Sequence, residues 1–163
     1  TMLGTTLARI RMNDLQRGLD YLQDHPAIDP DRIGLMGISG GGQMTLWTLA
    51  MEDRLKLGIV SGYFNTFKGS IMGIYHCICN AAPGVAKHFD MADIAMLAFP
   101  RPILFQSGSK DHIFPIRETR KAFRELKGRY EALGESDRLK LDVFADAHRW
   151  SPKHVNAFFD RWL

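Results

Sequence analysis

The spacing of hydrophobic residues along the chain switches between helical and strand periodicity. Leu15, Leu19 and Leu22 recur at i, i+4 and i+7, which predicts an amphipathic helix over residues 6–24. The same criterion predicts further helices at 40–50, at 91–98, over about 116–133 and over about 155–162. Short apolar or alternating runs predict strands at 32–37, 57–61, 102–106 and 139–144.

Strands and helices alternate along the chain, as they do in parallel βα units. This order predicts an α/β fold, with a parallel sheet and helices on both of its faces. The run at 32–37 is apolar on both faces, so we expect a buried strand there. Residues 139–144 alternate with a period of two, which is typical of a strand near a sheet edge. Residues 63–83 are rich in aromatic side chains and irregular.

The composition is that of an ordinary folded domain. The chain has 163 residues, of which 45% are hydrophobic and 24% charged. These values predict a single domain spanning 1–163 and exclude a disordered tail, a collagen-like repeat and a disulfide-stapled miniprotein. The formal net charge of +3 is spread without a basic block, so we expect no nucleic-acid partner.

The sequence also bears on the compartment and on membranes. No apolar run approaches the roughly 18 residues that span a bilayer, and residues 1–6 lack a signal-peptide pattern. We therefore expect no membrane partner. Cys77 and Cys79 lie too close together for a long-range disulfide and fit a reducing compartment, so the expected location is cytoplasmic.

The clearest chemical signal is a G-x-S-x-G motif, residues 37–41, between a predicted strand and a predicted helix. A serine on such a turn projects from the carboxyl edge of the sheet, where the first N–H groups of the helix can stabilise an oxyanion. A glycine-rich turn whose serine only caps the helix is the alternative. A dinucleotide fingerprint is excluded because Thr45 stands where a glycine is needed, and a P-loop because no Gly-Lys-Ser/Thr follows.

A serine hydroxyl needs a base to take its proton and an acid to orient that base. Asp111 follows the predicted strand at 102–106, and His148 follows the one at 139–144. Both therefore lie where open α/β sheets place their sites, so we predict that they act with Ser39. A helix-capping Asp111 and a solvated His148 are the alternatives. Other acids and histidines fit the strand ends less well, namely Asp90, Asp93, Asp142, Asp146, His25, His76, His88, His112 and His154.

Aromatic and histidine side chains provide candidate substrate contacts. We expect Tyr63, His76 and Trp150 to line the site, with packing in the protein interior as the alternative. Cys77 and Cys79 follow His76, but no second pair of metal ligands accompanies them. We therefore predict no metal site.

Further segments form one pattern with the serine motif, namely residues 37–42, 76–80, 83–84, 89–94, 100–102, 107–111 and 113–115. Together they resemble one branch of the α/β-hydrolase superfamily, the bacterial acetyl xylan esterase-like and dienelactone hydrolase-like proteins. The resemblance runs from about Arg11 to the end of the chain. It implies Ser39 as nucleophile, Asp111 as orienting acid, His148 as base and the N–H of Gly40 as one oxyanion donor. It also implies an acyl-enzyme route, a small-molecule ester substrate with a small, acetyl-type acyl group, and no cofactor.

Members of this fold have eight strands, and their second oxyanion donor lies in a loop after an early strand. The four strands predicted here therefore imply the C-terminal part of a longer hydrolase. In isolation the strand at 32–37 would have an unpaired edge, through which a homo-oligomer can form.

Two other interpretations of the same residues stay open. A prolyl-oligopeptidase-type serine peptidase shares the fold and the residue order, but it usually has an aromatic residue next to the serine, where this chain has Ile38 and Gly40. The third interpretation is a catalytically incomplete hydrolase fragment, because losing one oxyanion donor costs on the order of 10² to 10³ in rate.

Overall fold

The structure, a computed structural model, describes residues 4–163. Its strands are β1 (Gly34–Ile38), β2 (Leu57–Ser61), β3 (Ile103–Gly108) and β4 (Leu139–Phe144). They are parallel and lie side by side in the order of the sequence. The register pairs Ile38 with Ser61 and Ser61 with Gln106, so the strands end together at one edge of the sheet.

The helices between and around the strands are α1 (Leu7–Asp24), α2 (Gly40–Met51), α3 (Met91–Met96), α4 (Ile116–Ala132) and α5 (Val155–Trp162). Each predicted helix and strand is present, with bounds within 2 residues of those expected. The α/β class is therefore confirmed. Over the described range, no helix combines the length and the hydropathy needed to cross a bilayer.

The sheet is covered on both faces, as predicted. Leu57 and Ile59 of β2 pack with Leu104 against α5 and form the smaller core. Val60 points the other way, because successive side chains of a strand face opposite sides, and joins the larger core with residues of α1, α2, α3 and α4. The two faces thus carry unequal layers, with four helices on one and α5 on the other.

One expectation about the sheet is wrong. The sequence predicts a buried strand at 32–37, but four of the five residues of β1 are half-buried and the fifth, Met36, is 42% exposed. The reason is that β1 lies at the edge of the sheet, paired only with β2 among the described residues. An apolar run reports which side chains tolerate burial, and it does not report how many strands flank it.

Asp90 joins the two ends of the long segment between β2 and α3. One carboxylate oxygen of Asp90 accepts the N–H of Met91 at 2.8 Å, which caps α3, and also the N–H of Phe67 at 2.7 Å. The carboxylate of Asp93 accepts the N–H of Asp90 and also forms an ion pair with Arg129 of α4 at 2.7 Å. The two ends of the segment 67–90 are therefore held together and tied to the helical layer.

The turn from β1 into α2 brings two stretches of backbone into close approach. A Cβ on Gly37 would lie 2.5 Å from the carbonyl carbon and oxygen of Gly41, closer than real Cβ contacts allow. A Cβ on Gly42 would lie 2.7 Å from the carbonyl oxygen of Ser61. Gly41 itself has open space around its Cβ position. The turn therefore requires glycine at 37 and 42 for steric reasons, and position 41 carries no such requirement.

We expect Gly37→Ala to lower the free energy of unfolding by about 1–3 kcal/mol, because the added methyl group must push backbone apart. Gly41→Ala is the matched control. It adds the same methyl group where there is room and lowers the entropy of the unfolded chain, so it should leave stability unchanged or raise it by up to about 1 kcal/mol. Urea unfolding of both variants measures the difference. Equal losses in the two variants would contradict the steric argument.

Candidate active site

Ser39 sits on the turn between β1 and α2 with φ 56° and ψ −118°. Of the residues described, it is the one non-glycine residue with a positive φ. A residue held in such a backbone conformation costs about 1–3 kcal/mol unless its surroundings impose it. Here the N–H of Ser39 donates to the carbonyl of Ser61 at 2.9 Å, and the carbonyl of Ser39 accepts from the N–H of Gln43 at 2.8 Å. Both hydrogen bonds hold the turn, so the side chain is presented beyond the end of β1.

Asp111 and His148 are brought into direct contact. Nδ1 of His148 lies 2.7 Å from Oδ2 of Asp111, whose side chain is 1% exposed. The other oxygen, Oδ1, accepts the N–H groups of Ile113 at 2.8 Å and Phe114 at 3.0 Å. Since a carboxylate can only accept, Nδ1 of the imidazole is the donor in this pair. The arrangement leaves Nε2 as the basic nitrogen.

The imidazole lies at the end of the strand next to Ser39. A Cβ on Gly62, the residue after β2, would lie 3.0 Å from Cε1 and 3.2 Å from Nδ1 of His148. The hydroxyl of Ser61 donates to the carbonyl of Arg149 at 3.4 Å. Nε2 of His148 is buried and has no hydrogen-bond partner among residues 4–163, the hydroxyl of Ser39 included. The histidine is thus anchored above Gly62 with its basic nitrogen unengaged.

Phe114 packs against the candidate base and was not anticipated from the sequence. Its ring stacks on His148 with centroids 5.7 Å apart and lies 5.4 Å from the ring of Tyr63. It also lies 5.7 Å from the ring of His76. The side chain is 2% exposed, so it forms a dry wall behind the Asp111–His148 pair. The available signal was its position three residues after Asp111, where the chain must fold back to give its N–H to that carboxylate.

The three expected substrate contacts differ in accessibility. Tyr63 is 1% exposed, and this burial raises the pKa of its hydroxyl. It packs beneath the site, which supports the alternative role in the interior rather than contact with a substrate. His76 is half-buried, with Nε2 lacking a partner in the described range. Trp150 is 45% exposed shortly after His148. His76 and Trp150 therefore remain candidates, and Tyr63 is enclosed.

Gly40 is the first residue of α2, so its N–H has no acceptor within the helix. It follows Ser39 directly, which puts this free donor beside the serine side chain. The group can accordingly donate to an oxygen that approaches Ser39. A Cβ at position 40 would come no closer than 4.0 Å to any atom outside its own chain neighbourhood, so the space on that side of Gly40 is open.

Cys77 and Cys79 lie on the segment that flanks α2. Cys77 is exposed and Cys79 buried, and both are free thiols. A hydrogen bond with Cys79 lowers the pKa of Cys77, whereas burial raises the pKa of Cys79. The carbonyl of Cys79 accepts from the side chain of Gln43 at 3.1 Å. In the part of the chain that the structure describes, no cluster of three or more His, Cys, Asp or Glu side chains could hold a metal ion.

The chain is similar to known proteins in both sequence and fold. Residues 5–161 match the model of the prolyl oligopeptidase family. Two proteins of Bacillus subtilis (strain 168) are similar in sequence. "Putative hydrolase YtaP" is 31% identical over 154 residues, which cover 90% of this chain and 50% of that protein. "Putative esterase YitV" is 29% identical over 140 residues, which cover 78% of this chain and 55% of that protein. The chain thus spans about half the length of the curated relatives it matches.

Among solved structures, a carbohydrate esterase family 15 glucuronoyl esterase from Caldicellulosiruptor kristjansonii superposes with a TM-score of 0.78. The match covers 96% of this chain and 49% of that one at 20% identity, so it bears on the fold alone. The fold is that of the α/β-hydrolases, as the resemblance to that superfamily implied. With nearly the whole chain matched by one family model, this chain belongs to the prolyl oligopeptidase family within the α/β-hydrolase superfamily.

Proposed function

We propose that this chain carries the catalytic residues of a serine carboxylic-ester hydrolase, with Ser39 as nucleophile, His148 as base and Asp111 as the acid that orients the base. One observation carries the proposal. The buried carboxylate of Asp111 engages Nδ1 of His148 and leaves Nε2 unpartnered at the strand end beside Ser39. A histidine kept only for stability would be expected to have both ring nitrogens satisfied.

In the acylation step, Nε2 of His148 takes the hydroxyl proton as Oγ of Ser39 attacks the carbonyl carbon of the ester. Asp111 stabilises the resulting imidazolium and is not itself protonated. Collapse of the tetrahedral intermediate breaks the bond to the alcohol oxygen, which leaves with the proton from Nε2. Water then attacks the acyl carbon while the same nitrogen takes its proton. The bond from that carbon to Oγ of Ser39 breaks, Oγ receives the proton from Nε2, and the carboxylic acid is released.

The developing oxyanion meets the N–H of Gly40, which has no acceptor inside α2. A preorganised donor of this kind supplies on the order of 10² to 10³ in rate. The second donor of an α/β-hydrolase lies in a loop after an early strand, and the relatives are about twice as long as this chain. Activity of the whole protein is therefore part of the proposal.

We propose esters with small acyl groups as the substrate class, reached past His76 and Trp150. Support comes from the resemblance of the residues to acetyl xylan esterase-like proteins and from a relative named as an esterase. His76 has a buried, unpartnered Nε2 and packs against Phe114, and Trp150 has an exposed ring two residues after the candidate base. The enclosed Tyr63 acts by supporting Phe114.

Peptide hydrolysis is the second candidate, and the name of the matched family is the observation in its favour. The same three side chains would serve both reactions, since amides and esters pass through similar tetrahedral intermediates. The residues flanking Ser39 favour the ester, because this chain has Ile38 and Gly40 where such peptidases usually have an aromatic residue next to the serine.

We expect the purified protein to hydrolyse 4-nitrophenyl acetate at least about 10²-fold faster, in kcat/KM, than an N-blocked peptide 4-nitroanilide. The nitrophenolate and nitroaniline released are both read by absorbance, so the two rates are directly comparable. The Ser39→Ala variant supplies the background for each substrate. A peptide rate that equals or exceeds the ester rate would transfer the assignment to the peptidase.

A fluorophosphonate probe tests the nucleophile without assuming a substrate. We expect covalent labelling at Ser39 in the purified protein, located by mass spectrometry of the modified peptide, and none in Ser39→Ala. Only a serine whose proton is removed by a nearby base reacts at a useful rate. An unlabelled Ser39 in the folded protein would leave the third interpretation, a catalytically incomplete hydrolase.

Replacement of the two C-terminal histidines tests the identity of the base. We expect His148→Ala to lower kcat/KM by at least about 10³-fold, because the serine loses its proton acceptor. His154→Ala is the matched control, since Nε2 of His154 lies 3.9 Å from Asp142 and makes no contact with Asp111. It should change kcat/KM by less than about threefold. Similar losses in both variants would show that His148 is not the base.

A further inference from the structure

Arg11 of α1 reaches the turn that presents Ser39. If Gly40 carried a Cβ, the atom nearest to it outside its own chain neighbourhood would be Nη1 of Arg11, at 4.0 Å. No other atom beyond those neighbours comes within that distance. The guanidinium thus stands beside the residue whose N–H faces the reacting carbonyl. The absence of a side chain at Gly40 leaves the space between them open.

The charge of Arg11 is not neutralised within the described residues. Arg54, Arg129 and Arg161 each hold a carboxylate at 2.7 to 2.8 Å. Arg11 is exposed and forms no ion pair within 4.0 Å among residues 4–163, although Asp14 lies one helical turn away. An arginine presents five donors in a planar fork that matches a carboxylate. Here that fork faces solvent next to the candidate nucleophile.

The immediate neighbour of the guanidinium is a thiol and not an anion. Burial raises the pKa of Cys79, and Arg11 beside it acts in the opposite direction without cancelling the effect. A thiol is a weak acceptor, and a hydrogen bond to it leaves the other donors of the guanidinium available. Arg11 also borders a cavity of about 320 Å³ whose walls include Leu35, Met36 and Met44. The walls of this cavity also include Asp14 and Gly41, the residue that follows Gly40.

We propose that Arg11 binds an anionic group of the substrate, so that the site selects esters bearing a carboxylate a few atoms from the reacting carbonyl. This inference rests on the proposed esterase function and specifies its substrate class. The carboxylate would form charge-assisted hydrogen bonds with the fork of Arg11 while the reacting carbonyl faces Gly40. Hydrogen bonds to charged groups of this kind discriminate by about ten- to a hundredfold.

The test compares two esters that differ in one charge. 4-Nitrophenyl butyrate is neutral, and mono-4-nitrophenyl succinate carries a carboxylate at the end of an acyl chain of the same number of carbons. We expect Arg11→Gln to lower the ratio of kcat/KM for the succinate over the butyrate by at least about tenfold. The change should lie in the KM for the succinate and not in its kcat. Arg11→Lys, which keeps the charge but not the fork, should retain part of the ratio.

Arg9→Gln is the matched control. Arg9 is an exposed arginine on the same helix, but it borders a different cavity, and residues two apart do not share a helix face. It should leave the ratio unchanged. The rate of fluorophosphonate labelling at Ser39, measured on every variant, reports separately on the nucleophile and on folding.

The possible results separate the two proposals. A labelled Arg11→Gln protein with a lowered ratio supports the inference. An unchanged ratio, or equal losses on both esters, overturns it while the esterase function stands, because equal losses mean that Arg11 stabilises the reaction centre or the fold for every substrate. Failure of the wild-type protein to label at Ser39 overturns the esterase function and, with it, the inference.

Discussion

The hydrogen bond from the N–H of Ser39 to the carbonyl of Ser61 ties the first two strands together at the point where the chemistry is placed. It completes the β1–β2 ladder at the last pair, Ile38 and Ser61, and its donor is a residue with φ 56° and ψ −118°. The backbone can hold that conformation only because glycine at 37 lets the turn close on itself. Three features therefore hold Ser39 in this conformation. They are the hydrogen bond to β2, the start of α2 and the close backbone approach at Gly37.

The same edge of the sheet positions the base. His148 lies against Gly62, whose lack of a side chain makes room for the imidazole. Gly62 directly follows Ser61, whose carbonyl accepts the N–H of Ser39. Asp111 is fixed from behind by two backbone N–H groups and faces Nδ1 with its remaining oxygen. Phe114 contributes one of those N–H groups and also stacks on the imidazole. The short loop 111–114 therefore orients Asp111 toward His148, supplies the backbone hydrogen bonds to Asp111 and shields both side chains from water.

Much of this arrangement could be read from the sequence, for a physical reason. Periodicity reports which faces are buried, and in a parallel α/β sheet the carboxyl ends of strands converge, so Ser39, Asp111 and His148 could be placed at one edge from their positions alone. What could not be read depends on distant contacts. The burial of Tyr63, for example, follows from its packing on Phe114. Arg11 was missed because its charge is unremarkable on a helix until α1 is packed beside the serine turn.

The closure of the segment 67–90 by Asp90 has a consequence for how this scaffold can diversify. Because Phe67 and Asp90 are joined by a hydrogen bond, the stretch between them forms a closed cassette that contributes no strand to the sheet and contacts α2 through the bond from Gln43 to Cys79. His76 and the exposed Tyr75 both lie inside it. Exchange of residues in the cassette can reshape the approach to the serine while the strands, and the chemistry they align, stay as they are.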